Sequence, residues 1–319
     1  MTRWGVVATI KAPAKDIVAF VAYHLDLGAD HIFIYLDNEN PKAQAALANH
    51  PRVTTTRTNQ AYWYSLGIKK PVRHQSRQTA NASHAYRAST ARLDWIAHID
   101  VDEFLCPKRP VGALLSDIPK NVVCARVRPA EALANEGLPG LDPKTTYCKA
   151  WMPGGNSRME LEKELYPTFG GFLRGGFVSH FVGKIFIRTG LPNLEFRIHR
   201  GMQNKQEIEP RMTLDDIDLC HCHITGWDAW QKIIDYRMTK GSYRSELKPT
   251  RKPELGGMSL HDLFSFLLAD GGEETLKAFY EEICLARPEL IEKLRKNGVL
   301  REFQLDADAK KRKHFPGFS

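Results

Sequence analysis

Between Trp4 and Val127 the sequence alternates short apolar, β-branched runs with stretches whose apolar residues recur at helical spacing, and no other feature constrains the fold as much. Trp4–Ile10 (WGVVATI), His31–Leu36 (HIFIYL) and residues 53–56, 95–99 (WIAHI) and 121–127 read as strands. A helix is expected from Asp16, with Ile17, Phe20, Val21 and Leu25 on one face and Gly28 at its C-terminal end. Two more are expected over residues 41–50, with Pro41 at the start, and over residues 75–93. Residues 57–73 read as a loop carrying Tyr62, Trp63 and Tyr64. Strands separated by helices imply an α/β fold, its sheet mostly parallel and flanked by helices.

After residue 128 the pattern changes. Residues 129–180 are rich in Gly and Pro, a strand returns at Lys184–Arg188, and from Gly226 the chain reads as helical. Helices are expected over 227–240, 260–268, 273–284 and Pro288–Lys296. The expected organisation is a domain over 1–225, in halves 1–128 and 129–225, a helical region over 226–305 and a basic tail over 306–319. The cationic run at 310–313 reads as a solvated end that offers peripheral contact to an anionic membrane.

No apolar run approaches the roughly 18–20 residues that span a bilayer. The apolar stretch near the N-terminus is too short for a signal peptide, and the six cysteines are scattered, as free thiols in a reducing compartment would be. A cytoplasmic location follows as the expectation. The formal net charge of +8 suits anionic partners. Nucleic acid is not expected among them, because the basic residues are dispersed and no motif of that class occurs.

In open α/β sheets, ligands gather at the carboxyl ends of strands. Here those ends are Lys11, Asp37-Asn38 and Asp100-Val-Asp102-Glu103. On an extended chain Asp100 and Asp102 point the same way, so both could hold one hard cation, Mg²⁺ or Mn²⁺. A solvated acidic turn is the alternative. Two further Asp-x-Asp pairs, Asp216/Asp218 and Asp306/Asp308, lack the apolar strand that precedes Asp100. The run Leu219-Cys-His-Cys-His-Ile224 has the wrong spacing for structural zinc. It reads as a strand alternating between core and site, with His221 facing away as a core histidine.

The segment Asp94-Trp-Ile-Ala-His-Ile-Asp-Val-Asp-Glu-Phe104 resembles the "W-x-x-x-x-D-x-D-E-F" signature of the family 2 and family 92-like glycosyltransferases. Thr9-Ile-Lys11, Tyr23-His24, Leu27-Gly28, His31-Ile-Phe-Ile-Tyr35 and Asp37-Asn38 are similar to that group's opening pattern, although Ala12-Pro13 stands where Asn-Glu is usual. The resemblance implies a GT-A (nucleotide-diphospho-sugar transferase) fold, with a nucleotide-sugar-binding half at 1–128 and an acceptor side at 129–225. It implies metal-dependent, inverting transfer from a UDP- or GDP-sugar to a glycan or lipid-linked glycan, with Mn²⁺ or Mg²⁺ as cofactor. A catalytically silent nucleotide- or glycan-binding relative is the rival reading.

By the same resemblance Asp102 holds the metal, with Asp100 sharing it or contacting ribose, and His223 as a third ligand. Thr9, Lys11, Asp37 and Asn38 are expected near the nucleotide, with Lys184 and His199 near phosphate. A carboxylate at Asp37 could accept a hydrogen bond from a base N–H. Glu131 is the expected catalytic base, in competition with Glu160, Glu162 and Glu164.

Overall fold

The computed structural model describes residues 2–249 and 253–318. The chain forms two compact units, one from Met1–Arg128, Val182–Leu219 and Asp306–Ser319, the other from Pro129–Phe181 and Cys220–Leu305. In chain order the elements are β1 (Trp4–Ile10), α1 (Ala14–Asp26), β2 (His31–Leu36), α2 (Pro41–Leu47), β3 (Val53–Arg57), α3 (Gln60–Ser65), α4 (His74–Ser89) and β4 (Trp95–His98). Next come β5 (Glu103–Pro107), α5 (Val111–Ser116), β6 (Cys124–Ala132), β7 (Thr146–Ala150), α6 (Asn156–Leu165), β8 (Lys184–Arg188), β9 (Leu194–Phe196), β10 (Gly201–Gln203) and β11 (Gln206–Ile208). The chain continues with β12 (Met212–His221), α7 (Trp227–Thr239), α8 (Leu260–Ile283), α9 (Pro288–Lys296), β13 (Leu300–Phe303) and α10 (Ala307–His314).

The first unit is built on a sheet ordered β6-β8-β4-β1-β2-β3. Strands β4, β1, β2 and β3 run parallel, and β8 lies antiparallel to both β4 and β6. The sheet is therefore parallel in the half nearest the N-terminus and antiparallel beyond it, a mixed α/β arrangement consistent with a GT-A-like fold. β1 is buried throughout, as a central strand covered on both faces must be. Val6, Ala8 and Ile10 face a core shared with α1 and α2, whereas Val7 faces the core shared with α4. Gly5 is required where it stands, because a Cβ there would lie 2.2 Å from the His31 carbonyl oxygen.

Local chemistry sets the element ends. Asn40 caps α2 by accepting from Ala43 N at 3.1 Å, with Pro41 in the first turn. Gly28 follows α1 with φ of 92°, the left-handed conformation expected there. Residues 57–73, read as loop, contain α3, which starts where Asn59 Oδ1 accepts from Tyr62 N. It is anchored by buried Trp63, whose Nε1 donates to the Thr58 carbonyl.

The tail differs most from expectation. Rather than a solvated end, residues 307–314 form α10, which lies along α1. Phe315 inserts into the same core as Ile17 and Phe20. Asp26 accepts from Lys313 Nζ at 2.6 Å and His314 Nε2 at 3.2 Å, and Lys310 lies over the Tyr23 ring. The apolar anchor comes after the charged run and outweighs it. Phe315→Ala is expected to destabilise the first unit by about 3 kcal/mol, seen as a lower urea midpoint.

In the second unit the distal part of β6 pairs with β7, and β7 with β13, all antiparallel. Helices α6 to α9 close over a core centred on Trp230, Phe264, Phe279 and Tyr280. The helical region read at 226–305 thus shares one core with residues 129–181. α8 is broken at Gly271 and Gly272, the latter at φ of 62°, between the two helices expected there. Among the described residues no helix is long and apolar enough to cross a membrane.

Candidate functional site

At the end of β4 the backbone turns instead of staying extended. Glu103 N donates to the Asp100 carbonyl at 3.1 Å, and Asp100 N donates to Glu103 Oε2 at 2.7 Å. The same-face argument for Asp100 and Asp102 is therefore replaced by a closed turn. Lys184, on the adjacent strand β8, reaches into it, with Nζ 2.6 Å from Asp100 Oδ2 and 3.2 Å from Glu103 Oε2. Gln78 Nε2 on α4 donates to Asp100 Oδ1 at 2.7 Å. Both Asp100 oxygens are thus bonded to protein donors.

Burial alone would raise the Asp100 carboxyl, but the Lys184 charge and hydrogen bond override it and hold the group well below its ordinary value. Burial would likewise lower Lys184, and the Asp100 and Glu103 charges raise it instead. Lys184 is almost wholly buried, so the phosphate contact expected of it is corrected to a structural ion pair. Asp102, half-buried at the corner of the turn, is the third carboxylate of this four-residue segment. His98, buried at the end of β4, is pushed down to about 4 chiefly by that burial and is neutral at physiological pH.

At the other strand ends the buried polar side chains are also engaged. Thr9 is buried and its Oγ1 accepts from Asn81 Nδ2, so it supports α4 from behind the strand end. Lys11 and Asn38 are exposed. Asp37 is buried and gripped by Arg77, whose Nε and Nη2 lie 2.6–2.9 Å from its two oxygens. His74 and Lys70 stand at 3.5 and 3.7 Å. Burial pushes the Asp37 carboxyl up, but the hydrogen bonds from His74 and Arg77 and the Arg77 charge hold it far below the ordinary range. An acceptor so engaged does not suit the base N–H contact expected of it. His199 is half-buried, with Nδ1 2.9 Å from the Gly183 carbonyl.

Sequence reasoning passed over Arg77, Gln78 and Asn81. A signal was present: His74, Arg77, Gln78 and Asn81 recur three and four apart, a polar stripe on the face of α4 that Ala82 and Ala85 place against the sheet.

In the second unit Glu131 is buried opposite Lys149, with 2.9 Å between Oε1 and Nζ. Its oxygens also accept from Val178 N and Ser179 N, the latter at 2.6 Å. Lys149 donates to the Gly176 and Ile283 carbonyls. Burial raises the Glu131 carboxyl, but Lys149 and these donors bring it below its ordinary value. A buried carboxylate held by three donors and with a lowered proton affinity is a poor general base, so its assignment as the base is corrected to a clamp on residues 176–179. Glu131→Gln is expected to cost about 3 kcal/mol in stability and to leave turnover per folded molecule unchanged. Calorimetric unfolding beside an active-site-normalised assay would check this.

His180, His221 and His223 form a chain of imidazoles with successive centroids 5.1 Å apart, so His221 does not face away from His223. His223 Nε2 is 2.8 Å from the Tyr243 hydroxyl, which accepts from Arg237 at 3.0 Å. Burial, then Arg237 and the neighbouring histidines, hold His223 well below its ordinary value, which keeps it neutral as a ligand must be. Carboxylate and imidazole groups suited to a metal are thus present, Asp102 and Glu103 in the first unit and the three histidines in the second. The second unit also carries a cleft of about 450 Å³ lined by Glu136, Trp227, Lys277, Tyr280 and Glu281. There Glu136 Oε1 accepts from Trp227 N and the Tyr280 hydroxyl.

Comparison with known proteins bears on the first unit. Residues 7–123 match the profile of glycosyltransferase family 92. No curated protein matches the chain. Among solved structures, it is similar to the crystal structure of HddC from Yersinia pseudotuberculosis at 9% identity and a TM-score of 0.27, covering 42% of this chain and 64% of that one. It is similar to the crystal structure of a mycobacterial protein at 14% identity and a TM-score of 0.34, covering 80% and 81%. The chain therefore spans just under two thirds of the HddC structure. Through residues 7–123, which hold the strand ends and the acidic turn, the chain is glycosyltransferase family 92-like, and glycosyl transfer is the activity this supports.

Proposed function

We propose that the protein moves a sugar from a UDP- or GDP-linked donor to a hydroxyl of a glycan or lipid-linked glycan, with a divalent cation and with inversion. The observation that carries this reading is the acidic turn after β4, in the segment that matches family 92. Two of the turn's three carboxylates, Asp100 and Glu103, share one buried ammonium, and with Asp102 beside them the turn keeps a surplus of negative charge that fits a hard cation with oxygen ligands. Asp102 is the ligand we assign, because it is among the groups suited to hold a metal ion and its half-buried side chain stands at the corner of the turn. Mn²⁺ or Mg²⁺ bound there would stabilise the charge of a departing diphosphate.

His223 keeps its proposed metal role on its own surroundings. If Nε2–H donates to the Tyr243 oxygen, Nδ1 is left as the ligand atom, the orientation a metal-binding histidine usually receives from its other nitrogen. Around Asp37, the cations Arg77, His74 and Lys70 take over the nucleotide contact first expected of the carboxylate. Inversion calls for a base beside the acceptor hydroxyl. With Glu131 committed to Lys149, we assign Glu136, whose exposed side chain shares the cleft with the Trp227 indole.

Titration calorimetry with UDP and GDP tests the central claim. Binding is expected to strengthen at least about tenfold with Mn²⁺, the scale of a lost or gained metal contact. Equal affinity with and without the metal would remove it.

A further inference from the structure

We propose that residues 64–73 dock the protein on an anionic lipid surface. Three large apolar side chains point outward within nine residues, with Tyr64 86%, Ile68 45% and Val72 95% exposed. Single exposed apolar residues are ordinary, but a group of them on one short segment marks a contact surface. Lys69 and Arg73, both exposed, are interleaved with them. The wider charge pattern agrees: from residue 40 to residue 93 the sequence has nine Lys and Arg and no Asp or Glu.

The segment is held in shape from beneath. Trp63 is buried, Tyr62 donates to Asn81 Oδ1 at 2.8 Å, and Gly67 makes the turn at φ of 70°. Gly67 N and Ile68 N donate back to the Tyr64 and Trp63 carbonyls. Arg77 Nη1 donates to the Pro71 and Val72 carbonyls at 3.1 and 2.7 Å. These backbone bonds hold the segment from within while the apolar side chains are presented outwardly. Apolar side chains mixed with cations suit the headgroup boundary of a bilayer, where both find partners. A water-soluble polyanion would engage Lys69 and Arg73 and gain nothing from Ile68 or Val72. This surface is separate from α10, and the contact is interfacial.

The test is sedimentation with vesicles of phosphatidylcholine and phosphatidylserine, against vesicles of phosphatidylcholine alone. The wild-type chain is expected to partition to the anionic vesicles at least tenfold more strongly, and to be released by salt. Tyr64→Ser/Ile68→Ser/Val72→Ser and Lys69→Glu/Arg73→Glu should each lower partitioning at least tenfold, the cationic pair by about fivefold per residue. Val72→Ser alone, at a side chain with no packing to lose, guards against a folding artefact and should lower it by a smaller factor. Thermal unfolding and donor hydrolysis without vesicles should be unchanged in the serine variants, so failure here is distinguishable from failure of the glycosyltransferase reading. Wild-type protein left in the supernatant would overturn the proposal. So would serine variants that bind as wild type, which would leave a plain polyanion surface.

Discussion

Asp102→Asn is expected to lower turnover by at least about 100-fold, the scale of losing one main electrostatic element of a transition state, roughly 3 kcal/mol. Asparagine keeps the size and the hydrogen-bonding oxygen but not the charge that would hold the cation. Stability should change by less than about 1 kcal/mol, since the side chain is half-buried at the corner of a turn whose closing bonds come from Asp100 and Glu103. Asp306→Asn is a fitting control. Asp306 sits in the left-handed region, at φ of 46°, which asparagine tolerates as readily, and it begins α10. Rates must be compared at saturating donor and metal, so that weaker binding is not mistaken for slower chemistry. Near-normal turnover in Asp102→Asn would defeat the metal mechanism even with the fold unchanged.

Lys184→Met should act on the other side of the same turn. Removing the ammonium leaves Asp100 and Glu103 facing each other without a counter-charge, and breaking such a buried pair costs about 3–5 kcal/mol. For a unit of this size that is a fall of roughly 10 °C in melting temperature. The effect has a defined pH dependence. Lys184 depresses the Asp100 carboxyl, so the pair contributes its full stability above the ordinary carboxylate value of 3.8 and loses it as pH falls through the depressed one. Wild type and variant should therefore differ most near neutrality and converge in acid. Scanning calorimetry at several pH values would read this directly, and a difference that grew on acidification would mean that the pair has been misjudged.

The first strands and the acidic end of β4 were legible because parallel strands buried on both faces leave continuous apolar runs, and WIAHI before Asp100 is one of them. What surrounds the turn was not. Lys184 lies 84 residues from Asp100, and only the antiparallel insertion of β8 between β4 and β6 brings it there. The resemblance offered it only as a phosphate contact. Glu131 failed for the same reason: its partner Lys149 is fixed by strand register, which the Gly- and Pro-rich sequence between them conceals. The tail was misread because the lysines were weighed and Phe315 behind them was not. His221 was assigned the wrong face because the run 219–224 was treated as one regular strand, whereas β12 ends at His221 and His223 continues outside it.

The discontinuous make-up of the first unit bears on how the chain folds as it is made. Residues 1–128 emerge from the ribosome without β8, so β4 and β6 wait with unpaired edges, and the groove that α10 will fill stays open. At 5–20 residues per second, roughly 10–40 s pass between the synthesis of Arg128 and that of Phe315. For about the first third of that interval, until β8 is made, the nascent sheet has an exposed edge, and for all of it the apolar groove of α1 stays uncovered, the kind of intermediate that aggregates or recruits chaperones. The second unit, whose last helices and β13 precede α10, can close first. The chain is thus expected to complete its folding in the reverse of its reading order, with the N-terminal strands among the last parts to become protected.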